Sequence, residues 1–412
     1  MGDFIVSIDI GTSKVCAVIG RVNKSSQLDI IGRGMAPCSG LKKGVIVDID
    51  STAASIKSAV EEAESVANMK VGSAYVNIHG MHVNVINNRS WMSISNGNRE
   101  ITRQDIDSVL HSARDIDIPE DRQLIDVIAR QYIIDGYDEI VDPVGMVGTR
   151  LEVDADIVVG KITSVQNIVK SVERAGIQID GIVAEAFATG EISLTQEERD
   201  IGVVLLDVGG GVTDISVYQG NRLIFYDSIP VGGEHITSDI AIGLHISNTE
   251  AEKIKRQFEL ALTSLIKNDQ EISVFDISEN KKKDVKVSEV VEIIEARVYE
   301  IFSLCKNQLG KSGSILEPYG GVVLTGAGIS YVDGCRQLAQ EAFEVPVRVV
   351  QAGQLQGVLK PEFIASAGII RYVAEVKKGG SLASEVKLKK SGNSQNRESI
   401  FDRIGRFFKN FF

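Results

Sequence analysis

FIVSIDIGTSKVCAVIG, residues 4–20, is the most informative stretch for the fold, together with its counterpart GVVLLDVGGGVTDISVY, residues 202–218. Each stretch is an apolar strand, a polar turn that contains glycine, and a second apolar strand, so each predicts a β-hairpin. Their aspartates, Asp9 and Asp207, stand at equivalent positions 198 residues apart. A repeat at this spacing indicates an internal duplication on the scale of a domain.

The residues of both turns are suited to binding phosphate. Glycine lets backbone N–H groups approach a phosphate closely, hydroxyls add donors, and a lysine adds a point charge. An aspartate at the inner end of each hairpin is placed to hold Mg²⁺ through water. An ordinary glycine turn is the alternative for either hairpin alone, but the matched pair favours a polyphosphate clamp. The predicted phosphate residues are Gly11, Thr12, Ser13, Lys14, Gly209, Gly210, Gly211 and Thr213, with Asp9 and Asp207 as the magnesium residues.

A third glycine-rich segment follows near the end of the chain. Residues 320–328, GGVVLTGAG, predict a buried strand that ends in a turn at Gly326, Ala327 and Gly328, with a helix over residues 331–343. A small-residue turn allows close backbone approach to a flat ring such as adenine. The segment is neither a dinucleotide-binding fingerprint nor a P-loop.

In this order and spacing, DIGTSK, DVGGGVTD and VVLTGAG resemble the phosphate-1, phosphate-2 and adenosine motifs of the actin, Hsp70 and sugar-kinase superfamily. The resemblance covers residues 1–376 and implies an α/β fold, with duplicated ribonuclease-H-like domains around a cleft that binds ATP and Mg²⁺. TEAEKIK, residues 249–255, resembles a helix of bacterial actins, which implies that Glu252 and Lys255 approach the ribose. An ion pair on a solvated helix face is the alternative.

The same resemblance suggests two candidates for orienting a catalytic water. Glu185 lies in the connection between the halves, and Asp214 follows the phosphate-2 turn. No aspartate base for a sugar hydroxyl is recognisable, so a slow ATPase at most is favoured over a small-molecule kinase, which stays an alternative. His79 and His82 form an HxxH within a strand-like pattern that has no third ligand, so we do not interpret them as a metal site.

Composition places the chain among ordinary globular proteins. Its 412 residues, 43% of them hydrophobic, suffice for two or more domains. Four widely spaced cysteines make neither a disulfide framework nor a zinc pattern, and we expect reduced thiols in a cytosol. The first residues enter strand-like sequence directly, so neither secretion nor lipidation is expected.

The final residues, ESIFDRIGRFFKNFF at 398–412, are typical of a helix that lies on a membrane surface. They hold five of the thirteen phenylalanines, and the apolar side chains fall on one helical face. A helix this short cannot span a bilayer but can lie in its interface. The predicted membrane residues are Ile400, Phe401, Ile404, Arg406, Phe407, Phe408, Lys409, Phe411 and Phe412.

The segment before this helix predicts a flexible tether. Residues 377–397 are rich in Gly, Ser, Lys and Asn. Residues 377–412 carry nine basic and three acidic side chains, a balance of plus six in a chain of net charge −12. A basic tail on an acidic body is suited to approach an anionic bilayer. A terminal helix packed on its own domain is the alternative.

The segment between His82 and Lys161 has its own strand, helix and strand pattern and interrupts the first half. With the tail, this insertion resembles the FtsA family of bacterial cell-division proteins. The predicted domains are 1–83 and 163–197 as the first half, completed by about 361–376; 84–162 as the insertion; 198–235 and 306–360 as the second half, with 236–305 as its smaller part; 377–397 as the linker; and 398–412 as the membrane helix.

The resemblance to the FtsA family implies a set of partners. Members bind ATP, form actin-like filaments under the membrane and tether FtsZ through its C-terminal peptide. The resemblance implies that the insertion takes part in filament contacts and recruits later division proteins. It also implies that residues 236–305 bind FtsZ, with Arg297 near that surface. A solvated arginine is the alternative for Arg297. The implied location is the cytoplasmic face of the membrane at the division septum, on anionic lipid, with no nucleic-acid partner. An FtsA-like pilus or secretion adaptor is a further alternative.

Overall fold

A computed structural model of the protein describes residues 4–379 apart from residues 24, 96, 312–319, 356–357 and 359. The predicted membrane helix 398–412 and all but three residues of the predicted linker lie outside the described residues. Within the described ranges, no helix combines the length and the apolar character needed to cross a bilayer.

The first half is built on a five-stranded sheet in the order β11-β6-β1-β2-β3. Strands β1, β2 and β3 form an antiparallel meander, and β6 and β11 continue the sheet in parallel. Its elements are β1 (Ile5–Ile10), β2 (Lys14–Val22), β3 (Leu28–Pro37), β4 (Leu41–Lys42), β5 (Val45–Ile46), α1 (Ile49–Ala67) and β6 (Ser73–Ile78), then, after the insertion, α3 (Ile162–Arg174), β11 (Gln178–Ala184), α4 (Glu185–Ser193) and α5 (Gln196–Ile201).

The insertion separates β6 from α3 and has a sheet and a core of its own. Its elements are β7 (Val83–Ser93), α2 (Arg103–Ala113), β8 (Arg122–Ile134), β9 (Tyr137–Ile140) and β10 (Arg150–Lys161), with strands in the order β7-β10-β8-β9. Apolar residues of α2 pack on this sheet around Val109 and Leu110, which are fully buried. A separate core explains how the insertion can interrupt the first half without disturbing its sheet.

The second half repeats the topology of the first. Its sheet has the order β14-β13-β12-β17-β18, again an antiparallel meander extended by two parallel strands. Its elements are β12 (Val203–Val208), β13 (Thr213–Gln219), β14 (Arg222–Ile229), α6 (Gly233–Leu244), α7 (Asn248–Phe258), β15 (Glu271–Asp276), β16 (Lys281–Lys286), α8 (Val287–Lys311), β17 (Val322–Thr325), α9 (Cys335–Phe343) and β18 (Val347–Val349). The predicted duplication and α/β class are confirmed.

The last described helix, α10 (Ile364–Gly379), returns the chain to the first half. It packs against α4, β1 and β2, and the Phe187 and Tyr372 rings stack with centroids 5.7 Å apart. The helix extends three residues into the predicted linker. Helix α9 starts four residues later than predicted, because Gly334 adopts a left-handed conformation (φ +97°) that a helix cannot include.

Candidate functional site

The two predicted hairpin turns face each other and have the same internal geometry. In the first, the Gly11 N–H donates to the Lys14 carbonyl at 3.0 Å, and in the second the Gly209 N–H donates to the Val212 carbonyl at 2.9 Å. The turns also touch, because a Cβ added to Gly210 would lie 2.4 Å from the Ser13 Oγ. A side chain at Gly210 would therefore force Ser13 of the opposite turn to move.

Two adjoining cavities lie along these turns. The smaller, of about 60 Å³, lies between them, and the larger, of about 560 Å³, reaches outward to α6 and α7. The smaller is lined by the predicted residues Asp9, Gly11, Thr12, Ser13, Lys14, Glu185, Asp207, Gly209, Gly210, Asp214, Gly326 and Ala327. The larger shares Ser13, Lys14, Gly210 and Ala327 and adds Glu252, Lys255 and Gly328. The three predicted motifs thus converge on one cleft.

Two predicted phosphate residues do not line either cavity. Thr213 is fully buried, and its hydroxyl donates to the Val231 carbonyl at 2.8 Å. Gly211 packs against Thr12, where a Cβ would lie 2.7 Å from the threonine Cγ2. Thr213 thus connects the phosphate-2 hairpin to the segment that precedes α6, and Gly211 allows close packing against the phosphate-1 turn.

Asp9 and Asp207 face the small cavity from the two sheets. Burial raises the pKa of Asp9, and burial together with the Asp214 and Asp9 carboxylates raises the pKa of Asp207 to about 7. Buried carboxylates that resist ionisation in this way lack enough positive charge around them. Within the described ranges, no three His, Cys, Asp or Glu side chains are arranged to ligate a metal directly. Asp9 and Asp207 stay the predicted Mg²⁺ residues, and a cation held through water would supply the positive charge that these carboxylates lack.

Asn77 joins Asp9 to Glu185 and was not predicted. Its Nδ2 donates to Asp9 Oδ1 at 2.7 Å and to Glu185 Oε2 at 2.8 Å, while its Oδ1 accepts the Ile10 N–H at 2.7 Å. Glu185 is the first residue of α4 and is 3% exposed. Burial, then the Asp9 carboxylate, raises the Glu185 pKa well above its usual range. The amide therefore holds two carboxyl groups side by side at the wall of the cavity.

Asp214 accepts hydrogen bonds from both halves of the protein. Its Oδ1 accepts the Gly80 N–H at 2.8 Å and the Ser228 hydroxyl at 2.5 Å, and its Oδ2 lies 2.9 Å from His79 Nδ1. Burial alone would raise its pKa, but the His79 charge and these donors lower it. Burial also disfavours the His79 cation, yet the Asp214 carboxylate raises the His79 pKa to about 10. Asp214 and His79 thus form an ion pair that joins the halves.

Glu252 and Lys255 form an ion pair, as the alternative to a ribose site predicts, but both also line the larger cavity. Their Oε2 and Nζ atoms are 2.6 Å apart, and Lys255 is 7% exposed. The Lys255 Nζ also donates to the Thr237 hydroxyl at 2.7 Å and to the Gly233 carbonyl at 3.1 Å. The pair is therefore a partly buried wall of the cavity and not a solvated helix face.

Sequence reasoning missed Asn77, His79, Thr237 and Glu362, all of which bind site residues or line a cavity. The positions of Asn77 and His79 in the sequence could have indicated that they belong to the site. They stand at the carboxyl end of β6, which is parallel to β1, and the carboxyl ends of neighbouring parallel strands meet at one sheet edge. Thr237 and Glu362 had no such indication, since only tertiary packing brings them to the cleft.

Arg297 lies away from both cavities, on α8. Its Nη2 donates to Asp239 Oδ1 of α6 at 2.9 Å, and Nη1 contacts Glu300. The Arg297 side chain is 24% exposed and paired, and so is not a freely solvated arginine. The predicted membrane residues 400–412 lie outside the described residues.

Three sequence families match the chain. The family described as "Cell division protein FtsA" matches residues 204–368, and "SHS2 domain inserted in FTSA" matches residues 80–159. "Type IV pilus assembly protein PilM" matches residues 140–265. The second match falls on the insertion and the first on the second half.

Curated relatives match over most of their length. The chain is 39% identical to the cell division protein FtsA of Bacillus subtilis over 370 residues, which is 90% of this chain and 83% of that protein. It is 34% identical to the FtsA of Pseudomonas aeruginosa over 410 residues, 98% of this chain and 97% of that protein.

Solved structures of low sequence identity share the fold. The type IV pilus biogenesis complex PilM–PilN matches with a TM-score of 0.58 at 15% identity, over 90% of this chain and 98% of that one. MreB5 of Spiroplasma citri bound to AMPPNP matches with a TM-score of 0.54 at 15% identity, over 92% and 98%. The MamK double helical filament matches with a TM-score of 0.52 at 15% identity, over 90% and 98%. The fold is therefore actin-like.

Proposed function

The chain belongs to the FtsA family of cell division proteins, and we therefore propose that it is an ATP-binding, actin-like protein that polymerises at the cytoplasmic membrane. There it anchors FtsZ filaments at the division septum and helps to recruit later division proteins. The main support for nucleotide binding is the pair of matched turns that face each other across one cleft.

The nucleotide is proposed to lie with its phosphates between the turns and its adenosine in the larger cavity. Backbone N–H groups of both turns and the Lys14 charge suit the phosphates, and Asp9 and Asp207 suit Mg²⁺ through water. Glu252 and Lys255, which line the larger cavity, suit the ribose hydroxyls. The similarly folded MreB5 was solved with AMPPNP, which supports a triphosphate in this cleft.

Replacing Gly232 with alanine should weaken nucleotide binding at least tenfold. Gly232 precedes α6, and a Cβ there would lie 2.6 Å from the carbonyl oxygens of Gly209 and Gly210. Backbone atoms cannot move aside cheaply, so the phosphate-2 turn would shift by a few tenths of an ångström or more, and misplaced donors bind phosphate poorly. Calorimetric titration with Mg·AMPPNP measures the loss. Gly72→Ala is the matched control, since nothing lies within 4 Å of its added Cβ. Unchanged affinity in Gly232→Ala would contradict the placement of the phosphates.

ATP hydrolysis is proposed to be slow at most. Glu185 stays the candidate that orients water, since it lies at the cavity wall and is held by Asn77. Asp214 is already occupied by hydrogen bonds from Gly80, Ser228 and His79, so it is better placed to position other groups. Substrate-dependent ADP production at many turnovers per second would instead favour the small-molecule kinase.

FtsZ is proposed to dock its C-terminal peptide on the smaller part of the second half, near Arg297. The ion pair of Arg297 with Asp239 joins α8 to α6, so the residue both contributes charge and shapes this surface. Replacing Arg297 with alanine should weaken binding of a fluorescent FtsZ C-terminal peptide about tenfold in an anisotropy assay, since hydrogen bonds to a charged group contribute about 1.5–3 kcal/mol. Arg174→Ala, which removes an exposed ion pair to Asp50, is the control. Equal peptide affinity in the Arg297 variant would place FtsZ elsewhere.

Membrane residence and polymerisation are proposed to be coupled. One short amphipathic helix binds a bilayer only reversibly. When filament formation links many such helices, later dockings become intramolecular, and avidity adds a factor of about 10² to 10⁴. Co-sedimentation with anionic vesicles, with and without ATP and the FtsZ peptide, tests the tether, the nucleotide and the partner together. Vesicle binding that does not respond to nucleotide would contradict the coupling.

The match of residues 140–265 to the PilM family favours the pilus adaptor as a second candidate. It spans part of the insertion and part of the second half, whereas the FtsA relatives match across most of the chain. A division role predicts binding of the FtsZ peptide. The adaptor role predicts none, so the anisotropy assay separates them.

A further inference from the structure

His79 is held between the two halves of the protein at the carboxyl end of β6. Its Nδ1 lies 2.9 Å from Asp214 Oδ2, and the next residue, Gly80, donates its N–H to Asp214 Oδ1 at 2.8 Å. The Met81 N–H donates to the Ser228 hydroxyl at 3.0 Å. Three contacts to the second half therefore fix the position and rotation of the imidazole ring.

The other ring nitrogen of His79 is unused. Nε2 is buried and has no hydrogen-bond partner among the described residues, and the ring lines the small cavity between the turns. Leaving a buried donor unpaired is costly, and such groups in native proteins call for an explanation. A ligand in the cavity would provide one.

An anionic ligand near His79 needs a cation beside it, because most of the charged side chains that line this cavity are acidic. Lys14 is the other cationic side chain in the lining, while Asp9, Glu185, Asp207, Asp214 and Glu362 are acidic. Asp214 is paired with His79, and Asp9 and Glu185 are bound by Asn77. A phosphate accompanied by a divalent cation would therefore satisfy the free Nε2–H without adding net negative charge.

The positions of the two cavities indicate which phosphate of a nucleotide would lie near His79. The larger cavity is the one with room for a nucleoside, and it adjoins the smaller at Ser13, Lys14, Gly210 and Ala327. A polyphosphate that starts from the larger cavity and crosses the turns ends in the smaller one. The phosphate farthest from the nucleoside is thus the one that reaches His79.

We infer that His79 binds the terminal phosphate of a nucleoside triphosphate through Nε2–H, with Asp214 as the residue that positions it, and that this contact sets the preference for triphosphate over diphosphate. The inference rests on the proposed nucleotide function. It makes His79 a specificity-determining residue that a diphosphate does not reach.

Calorimetric titration with Mg·AMPPNP and with Mg·ADP tests this role. His79→Ala should weaken AMPPNP binding about tenfold or more and change ADP binding less than twofold. Because the substitution leaves Asp214 buried without its charged partner, the variant His79→Ala/Asp214→Asn removes that unpaired charge and should show the same selective loss with a melting temperature nearer to that of the wild type. His245→Asn, at an exposed helix end, is the control and should bind both nucleotides normally.

The outcomes are distinguishable. Equal losses for AMPPNP and ADP in the double variant would mean that His79 is structural, and unchanged affinity for both would mean that it does not contact phosphate. Either result overturns the inference and leaves nucleotide binding standing. Wild-type protein that bound neither nucleotide would overturn the proposed function, and the inference with it.

Discussion

Exchanging Phe407 and Phe408 for aspartate should release the protein from anionic phospholipid vesicles, with a loss of at least a hundredfold in apparent affinity. Each buried phenylalanine ring contributes about 2 kcal/mol to insertion. Each new carboxylate is in addition repelled by about 1 kcal/mol at an anionic surface. Vesicle co-sedimentation at fixed lipid concentration measures the effect. A protein that ends at Gly379, the last described residue, should behave in the same way.

The matched control adds the same two charges outside the predicted helix. Gly392→Asp/Asn393→Asp places them in the predicted linker and should reduce vesicle binding far less. AMPPNP affinity should be the same in both variants, because the tether is predicted to act independently of the nucleotide cleft. If Phe407→Asp/Phe408→Asp still pelleted with vesicles, the membrane helix would be elsewhere. If it lost nucleotide binding as well, the separation of tether and body would be wrong.

Replacing Asp207 with asparagine should have opposite effects on ligand binding and on stability. Binding of Mg·AMPPNP should fall at least a hundredfold, because the carboxylate is proposed to hold the cation through water. The ligand-free protein should melt at least about 2 °C higher at pH 8, because the folded state no longer has to ionise a buried acid. The folded protein raises the Asp207 pKa to about 7, so the protonated carboxyl group contributes stability at low pH. That contribution is lost as the pH rises through the folded-state pKa.

Differential scanning fluorimetry with and without Mg·AMPPNP measures both effects in one experiment. Asp115→Asn is the control, since this carboxylate is exposed and should change neither the melting temperature nor the ligand-induced shift. A lower melting temperature for ligand-free Asp207→Asn would show that the carboxylate stabilises the fold. A full ligand-induced shift in that variant would remove Asp207 from the magnesium site.

The phosphate turns were predictable because each is local in sequence. Strand, turn and strand follow one another within 17 residues. The glycine that allows the close approach at Gly210 can be read directly from the sequence. The repeat also predicted a second half with the topology of the first, which the two sheet orders confirm. The membrane helix stays a prediction from its residue pattern alone.

The parts of the site that were missed come from distant segments. Asn77 follows Asp9 by 68 residues and reaches it only because β6 pairs with β1 in parallel. The His79–Asp214 pair joins residues 135 apart across the two halves. Whether Glu252 and Lys255 line the cleft also depended on packing, since the same ion pair could have lain on a solvated helix face.

The duplicated fold, the two turns and the family resemblance follow from the sequence alone, because periodicity, glycine turns and motif order involve residues that are close along the chain. Which side chains share the cavity, and in which protonation state, depends on how distant segments pack. Desolvation raises the pKa values of Asp9, Glu185 and Asp207, while the contact with Asp214 favours the charged form of His79. Burial and charge proximity are properties of the packed molecule, and no local pattern encodes them.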